Sequence, residues 1–384
     1  MANIQSVIPN VRLLPAVHGL RGLAAASVVL FHLHHLTNLA LPHPLAFVGT
    51  HFGLGVQLFF VLSAFSLFYS TTASIGRPGW VRDYFLKRLF RIAPLFYAML
   101  AAWCTLFYLR HAPPNLGDVA LNLTFAYNFV PGKHESIVAA GWTVGVEMVF
   151  YAILPVLFLT ISRARHALMF LIFAMLLSTL TRAGLTGAGG ILEQYAHFAF
   201  MTSLGVFAVG ALAFWVYRSL RTTIERRGSD KVRWMRFALP AVCAALLAIL
   251  VSPLSNVLLS AWRADILLWA LLFGCVLVWQ ALFPWRALAS AAMEFLGERS
   301  YSIYLLHPLA IFALTPLNRG LYAAASQAIG AWAFIPCAAL TLAVVVGCAV
   351  LSYRLIEVPG IQAGRAVLRW ARAPSAPQAV TPAL

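Results

Sequence analysis

The chain has 384 residues, 62% of them hydrophobic and only 10% charged, with a mean hydropathy of +0.85. Water-soluble domains carry about 25% charged residues, so a soluble enzyme or a soluble binding module is excluded. The formal charge of +16 sits in short stretches between apolar runs, where it marks membrane sidedness rather than a nucleic-acid partner.

A helix needs roughly 20 apolar residues to cross a bilayer. Runs that meet this requirement fall at 19–38, 53–73, 92–110, 141–162, 167–183, 199–217, 237–255, 262–283, 300–317 and 328–352. They predict an all-α fold, a polytopic bundle of about ten transmembrane helices. The first run is too long for the apolar region of a cleavable signal, and no small-residue cleavage site follows it, so it is expected to remain as the first span. An even number of spans puts both termini on one side. With that side cytoplasmic, 22 of the 27 Lys and Arg residues lie inside, leaving Arg110, Lys133, Arg182, Arg263 and Arg319 outside. Positively charged residues collect on the cytoplasmic face, so both termini are expected there. The longest outside segment, 111–140, is too short for a separate domain. Residues 1–372 therefore read as one transmembrane domain, followed by a disordered, Pro/Ala-rich cytoplasmic tail at 373–384. Five cysteines lie within the spans without metal spacing and read as small packing residues.

The polar groups inside these runs carry the functional signal, because an ionisable residue at bilayer depth marks a functional site by default. The stretch HGLRGLAAASVVLFHLHH opens near Arg21 and closes on His32, His34 and His35. Arg21 and His32 are eleven residues apart, about 16 Å of helix and close to three full turns, so they share one face. Structural readings exist for each: a snorkelling anchor for Arg21, a helix-packing hydrogen bond for His32. Gln57, Ser63 and Ser66 in the second run suit close helix packing. In YFLKRLFRIAP, Arg88 and Arg91 lie three apart beside Lys87; they suit a phosphate or pyrophosphate, or serve as plain inside charge. Glu147 falls about 9 Å into the fourth span by helix rise. A carboxylate there must pair, titrate or face a cavity. Tyr301, Tyr304 and His307 follow one another at three-residue spacing in the ninth span, and the last ends with Tyr353 and Glu357. Tyrosines at such positions also form interfacial belts.

A neutral histidine near a buried carboxylate can act as a general base or carry an acyl group, and an arginine cluster can hold the phosphates of an acyl-carrying nucleotide. This points to acyl transfer across the membrane. A transporter or flippase for a glycan or acidic solute would use the same groups. The spacing of His32, His34 and His35 is poor for metal binding, and no metal is expected.

Six blocks in order resemble the integral-membrane acyltransferase-3 family, the polysaccharide O-acetylating and nodulation-factor type. They are HGLRGLAAASVVLFH, GVQLFFVLSAF, KRLFRIAPLFY, GWTVGVEMVFYAILP, FLGERSYSIYLLH and YRLIEVP, and they extend over nearly the whole chain. Gln57, Ala64 and Thr143 stand where the family often has Asp, Gly and Ser. The resemblance implies an O-acyltransferase in the bacterial inner membrane, surrounded by lipid. It would move an acetyl or other short acyl group from acetyl-CoA or another acyl-CoA to a carbohydrate or glycosylated acceptor. His32 and Glu147 would be catalytic, with Glu147 orienting or charge-balancing the imidazole. Arg21, Arg88 and Arg91 would bind the cofactor, and Trp142, Tyr151, Tyr301, Tyr304 and His307 would line the substrate cavity.

Overall fold

The computed structural model describes residues 14–228, 233–252 and 265–372. The tail at 373–384 and the join between the seventh and eighth expected spans lie outside the described residues. Among those residues every regular element is a helix. The long ones are α1 (Pro15–Thr37), α3 (Gly55–Thr71), α4 (Trp80–Leu109), α6 (Trp142–Thr160), α7 (Ala164–Ala188), α9 (Phe200–Arg227), α10 (Met235–Val251), α11 (Asp265–Leu282), α13 (Ser300–Ile329) and α14 (Phe334–Ser352). They match the ten expected runs one for one. Shorter helices sit between them: α2 (Ala46–His51), α5 (Leu116–Leu123), α8 (Gly190–Phe198), α12 (Ala291–Glu298) and α15 (Val358–Trp370). The chain is a multi-pass, all-helical membrane protein.

Local chemistry sets the ends of the first helix. Pro15 occupies its first turn, where a missing N–H costs nothing. Asn38 closes it in the left-handed conformation at φ 57°, donating its N–H to His34 O. In between, Ala24, Ala25, Val28, Val29 and Leu33 are fully buried. Helix α1 packs against α3, α11, α12, α13 and α14, so Arg21 and His32 both lie inside the bundle. Its approach to α12 and to the turn before that helix is close: a Cβ on Gly19 would stand 2.0 Å from Leu288 O in the turn, and one on Gly297 would stand 2.1 Å from His18 O. Lipid gives no hydrophobic driving force between helices, so small residues that permit such contact hold the bundle together. Helix α7 turns Leu168, Met169, Ile172, Phe173, Leu176 and Leu180 outward as a lipid-facing surface.

The chain runs from α14 into α15 through a π-helical turn at Tyr353–Glu357. Such turns are rare and occur often at functional sites. Helix α15 then lies on α4, where Gly360 faces Pro94 and Gly364 faces Phe90 at distances that leave no room for a side chain. Arg372, just past α15, bonds Asp83 at the start of α4 and fixes the far end of this contact.

Candidate active site

The three arginines expected to bind the cofactor converge. Arg21 from α1 and Arg88 and Arg91 from α4 line one cavity of about 570 Å³, together with His18, Lys87 and Arg365. A second cavity of about 370 Å³ adjoins it, with Ser70, Lys87 and Arg88 in both walls. Arg77 and Arg372 add further positive charge there, beside Trp80. Arg365 was not singled out from the sequence. It reaches the cavity because the Gly360–Gly364 pair lets α15 lie flat on α4, and that four-residue glycine spacing was the available signal. Glu357, fully buried in the π-helical turn, accepts a hydrogen bond from Ser302.

Arg21 also faces inward. Its Nε donates to Ser300 Oγ at 3.3 Å, and its guanidinium lies 5.9 Å from the centre of the Phe59 ring. Beyond it is a small central cavity of about 40 Å³, lined by Arg21, Phe59, Thr143, Glu147, Ser300, Tyr301 and Tyr304 among others. Glu147 accepts a hydrogen bond from Ser63 of α3. Tyr301 is buried, donating its hydroxyl to Ile92 O at 2.8 Å, and so joins α13 to α4. The Tyr304 hydroxyl lies 3.0 Å from Thr143 Oγ1 and donates to Ala140 O at 3.3 Å. Thr143, where the family often has Ser, thus retains the hydroxyl that this contact uses.

His32 lies further along, in contact with His307. The rings are 4.8 Å apart, and His307 Nε2 is 3.1 Å from His32 Nδ1. The proton arrangement follows from the backbone. Pro308 has no N–H, so the Tyr304 carbonyl lacks its usual partner four residues on. His307 Nδ1 bonds that carbonyl. A carbonyl only accepts, so His307 Nδ1 carries the proton and the Nε2 of the neutral ring is an acceptor. His32 Nδ1 sits between this acceptor and Val28 O at 3.0 Å, and must therefore donate. The remaining nitrogen of His32, Nε2, is left with its lone pair. This tautomer is inferred from the bonding pattern.

The expected residues therefore separate into layers. Arg21, Arg88 and Arg91 share the basic cavity, and Arg21 with Glu147, Tyr301 and Tyr304 shares the central one. His307, expected in the cavity wall, is the partner of His32, whereas Glu147 is bonded by the hydroxyls of Ser63 and Tyr151. Trp142 packs between Phe60 and Phe198. Tyr151 is buried one turn beyond Glu147, and its carbonyl accepts from the Tyr84 hydroxyl. His34 and His35 bond the carbonyls of Leu39 and Gly49, closing the turn after α1.

A bundle with a basic cavity at one end and an oriented imidazole inside is compatible with a membrane-embedded group-transfer enzyme. The acyltransferase-3 profile, described as an acyltransferase domain, matches residues 14–354, and the chain belongs to this family. It is an acyltransferase. Among curated relatives, a Komagataeibacter xylinus protein named for a membrane-bound transacylase, BcsY, is 26% identical over 76% of this chain and 71% of its own length. A Bacillus subtilis protein named for a peptidoglycan O-acetyltransferase, YrhL, is 26% identical over 91% of this chain but only 55% of its own length. A protein of Acidianus two-tailed virus named for an acetyltransferase, ORF330, is 26% identical over 77% of this chain and 82% of its own. No solved structure matches the chain.

Proposed function

We propose that the protein takes an acetyl or other short acyl group from cytoplasmic acyl-CoA and transfers it to a hydroxyl of a glycan or glycosylated small molecule. We place it in the bacterial inner membrane with both termini cytoplasmic. One observation carries the reading: the basic cavity, the central cavity and the His32–His307 pair follow one another along the parallel helices α1 and α13, with Arg21 in both cavity walls.

In this mechanism Arg88, Arg91 and Lys87 hold the donor phosphates by charge-assisted hydrogen bonds. Arg21 guides the thioester inward. His32 Nε2 takes the proton of the acceptor hydroxyl as its oxygen forms the new ester bond to the acyl carbon. The carbon–sulfur bond breaks, and the His32 imidazolium gives the same proton to the departing sulfur, so coenzyme A leaves as its thiol and the imidazole is neutral again. His307 Nε2 accepts from His32 Nδ1–H and steadies the imidazolium, as the third member of a nucleophile–base–orienter set does. Glu147 supplies a compensating negative charge beside Arg21. The name of the peptidoglycan O-acetyltransferase relative supports a hydroxyl acceptor on a glycan.

The test compares surface glycans and glycolipids by mass spectrometry in a gene deletion, a strain restored with the native protein, and one restored with His32→Ala. A defined acyl mass should vanish, return with the native protein and stay absent with His32→Ala. Full acylation with His32→Ala present in the membrane at native levels would refute the mechanism.

A further inference from the structure

A third cavity, of about 340 Å³, lies away from the basic end. It is walled by Asp118 and Asn122 of α5, residues 132–137 of the following loop, and Ile191 and Gln194 of α8. Its volume falls within the ~300–1,000 Å³ typical of small-molecule sites. Helix α4 separates it from the arginine cavity: the 30 residues of α4 span about 45 Å at 1.5 Å per residue, with Arg88 near one end and α5 following the other.

The walls are built rather than casual. Asn122 is buried, and its Oδ1 accepts from Ser136 Oγ at 2.6 Å and from Ile137 N–H at 3.2 Å. This holds the loop while Ser136 sits at φ 72°, a conformation a non-glycine residue adopts only when its surroundings impose it. His134 is only 2% exposed and packs against the rings of Tyr195 and Phe198. Its Nδ1 accepts from Gly132 N–H at 3.0 Å, so in the neutral ring Nε2 carries the proton. Burial pushes its pKa below the ordinary value, which keeps the ring neutral. That Nε2–H is buried without a hydrogen-bond partner, an arrangement costing about 1–3 kcal/mol unless a ligand or water completes it.

The chemistry of the lining selects the ligand. The Lys133 ammonium is engaged by Asp118 at 2.8 Å, and Glu135 adds negative charge, so the cavity does not suit a phosphate. What remains is a mixture of neutral donors and carboxylate or amide acceptors from His134, Gln194 and Glu135, which matches the alternating donor–acceptor groups of sugar hydroxyls. The same loop reaches the reaction centre, because Ala140 O accepts from the Tyr304 hydroxyl and Tyr304 is one helical turn from His307. From this geometry we infer that the cavity formed by α5, the 132–137 loop and α8 binds an uncharged sugar unit of the acceptor, holding the glycan while another of its hydroxyls enters the reaction centre. This rests on the transferase reading above.

Glu135 and Gln194 are exposed on the rim and can be changed without disturbing the bundle. The test uses Glu135→Ala/Gln194→Ala and the conservative Glu135→Gln in the full-length protein. Glycan acylation is read in restored cells, and coenzyme A release from acetyl-CoA is read with purified protein in lipid nanodiscs. The inference expects the double variant to lower glycan acylation at least tenfold, with KM for acetyl-CoA unchanged within twofold and Glu135→Gln close to native. Acylation within twofold of native in the double variant would overturn it, as would an equal rise in KM for acetyl-CoA. Absence of any deletion-dependent acyl group, together with no coenzyme A release by the native protein, would instead overturn the transferase reading and this inference with it.

Discussion

In the proposed mechanism His307 acts only through His32, and this can be isolated by substitution. Replacing His307 with Leu removes one of the two acceptors for His32 Nδ1–H, the contact of 3.1 Å, and leaves Val28 O at 3.0 Å, while keeping an apolar side chain in a fully buried site. The bond becomes charge-assisted when His32 gains a proton, and such bonds contribute about 1.5–3 kcal/mol. At 1.36 kcal/mol per decade this is a loss of about 10–150-fold in kcat. KM for acetyl-CoA should not move, because the donor phosphates bind at the other end of α1. His307→Gln can return a carbonyl oxygen near the position of Nε2 and should recover most of the rate. The double variant His32→Ala/His307→Leu should be no slower than His32→Ala alone, since residues acting as a unit are not additive. The assays are coenzyme A release by purified protein and acyl content of glycans from restored strains. A His307→Leu rate within threefold of native, or equal losses for Leu and Gln, would refute the reasoning.

Arg88→Ala should raise KM for acetyl-CoA about tenfold or more by removing a charge-assisted phosphate contact, with a smaller effect on kcat; calorimetry showing unchanged coenzyme A affinity would remove Arg88 from the donor site. Gly19→Ala should destabilise the protein by about 1–3 kcal/mol as an overpacking change, because its Cβ would meet Leu288 O at 2.0 Å. Gly347→Ala, with nothing within 4 Å, should leave the melting temperature unchanged or slightly raised, and equal behaviour of the two would contradict the packing described for α1 and α12. Single cysteines placed at Gln194 and Arg77 in a background lacking the native cysteines should react with a membrane-impermeant maleimide in intact cells at Gln194 and only after permeabilisation at Arg77; the converse pattern would reverse the topology assigned from Lys and Arg.

Apolar run length made the ten long helices readable from the sequence, since a bilayer imposes length and composition together. The boundaries that differ do so for a physical reason. Helix α4 begins at Trp80, twelve residues before the apolar run at 92, because its first turns carry Arg82, Asp83, Lys87 and Arg88 outside the hydrocarbon and hydropathy does not register them. Helix α13 continues to Ile329 past the expected end at 317 by a similar extension. The shared face of Arg21 and His32 followed from helix periodicity alone. The contact between His32 and His307 joins residues 275 positions apart, and no local pattern encodes it. In hindsight the His307–Pro308 dipeptide was informative, because the proline frees the very carbonyl that fixes the histidine tautomer. The sugar-sized cavity was hidden in a segment, 111–140, whose composition says only that it is a loop.

The central cavity has a consequence for the cell's energy supply. A protein that works on substrates from two compartments risks becoming a leak, and a continuous column of water through it would discharge the ion gradient across the membrane. The space between Arg21 and Tyr304 is about 40 Å³, against about 570 Å³ for the basic cavity, so the passage narrows sharply there. In the proposed mechanism the bulky nucleotide of the donor would stay on its own side, and only its small reactive end need enter this constriction. In that mechanism this narrowing would let an acyl group pass while the larger molecules on the two sides stay apart.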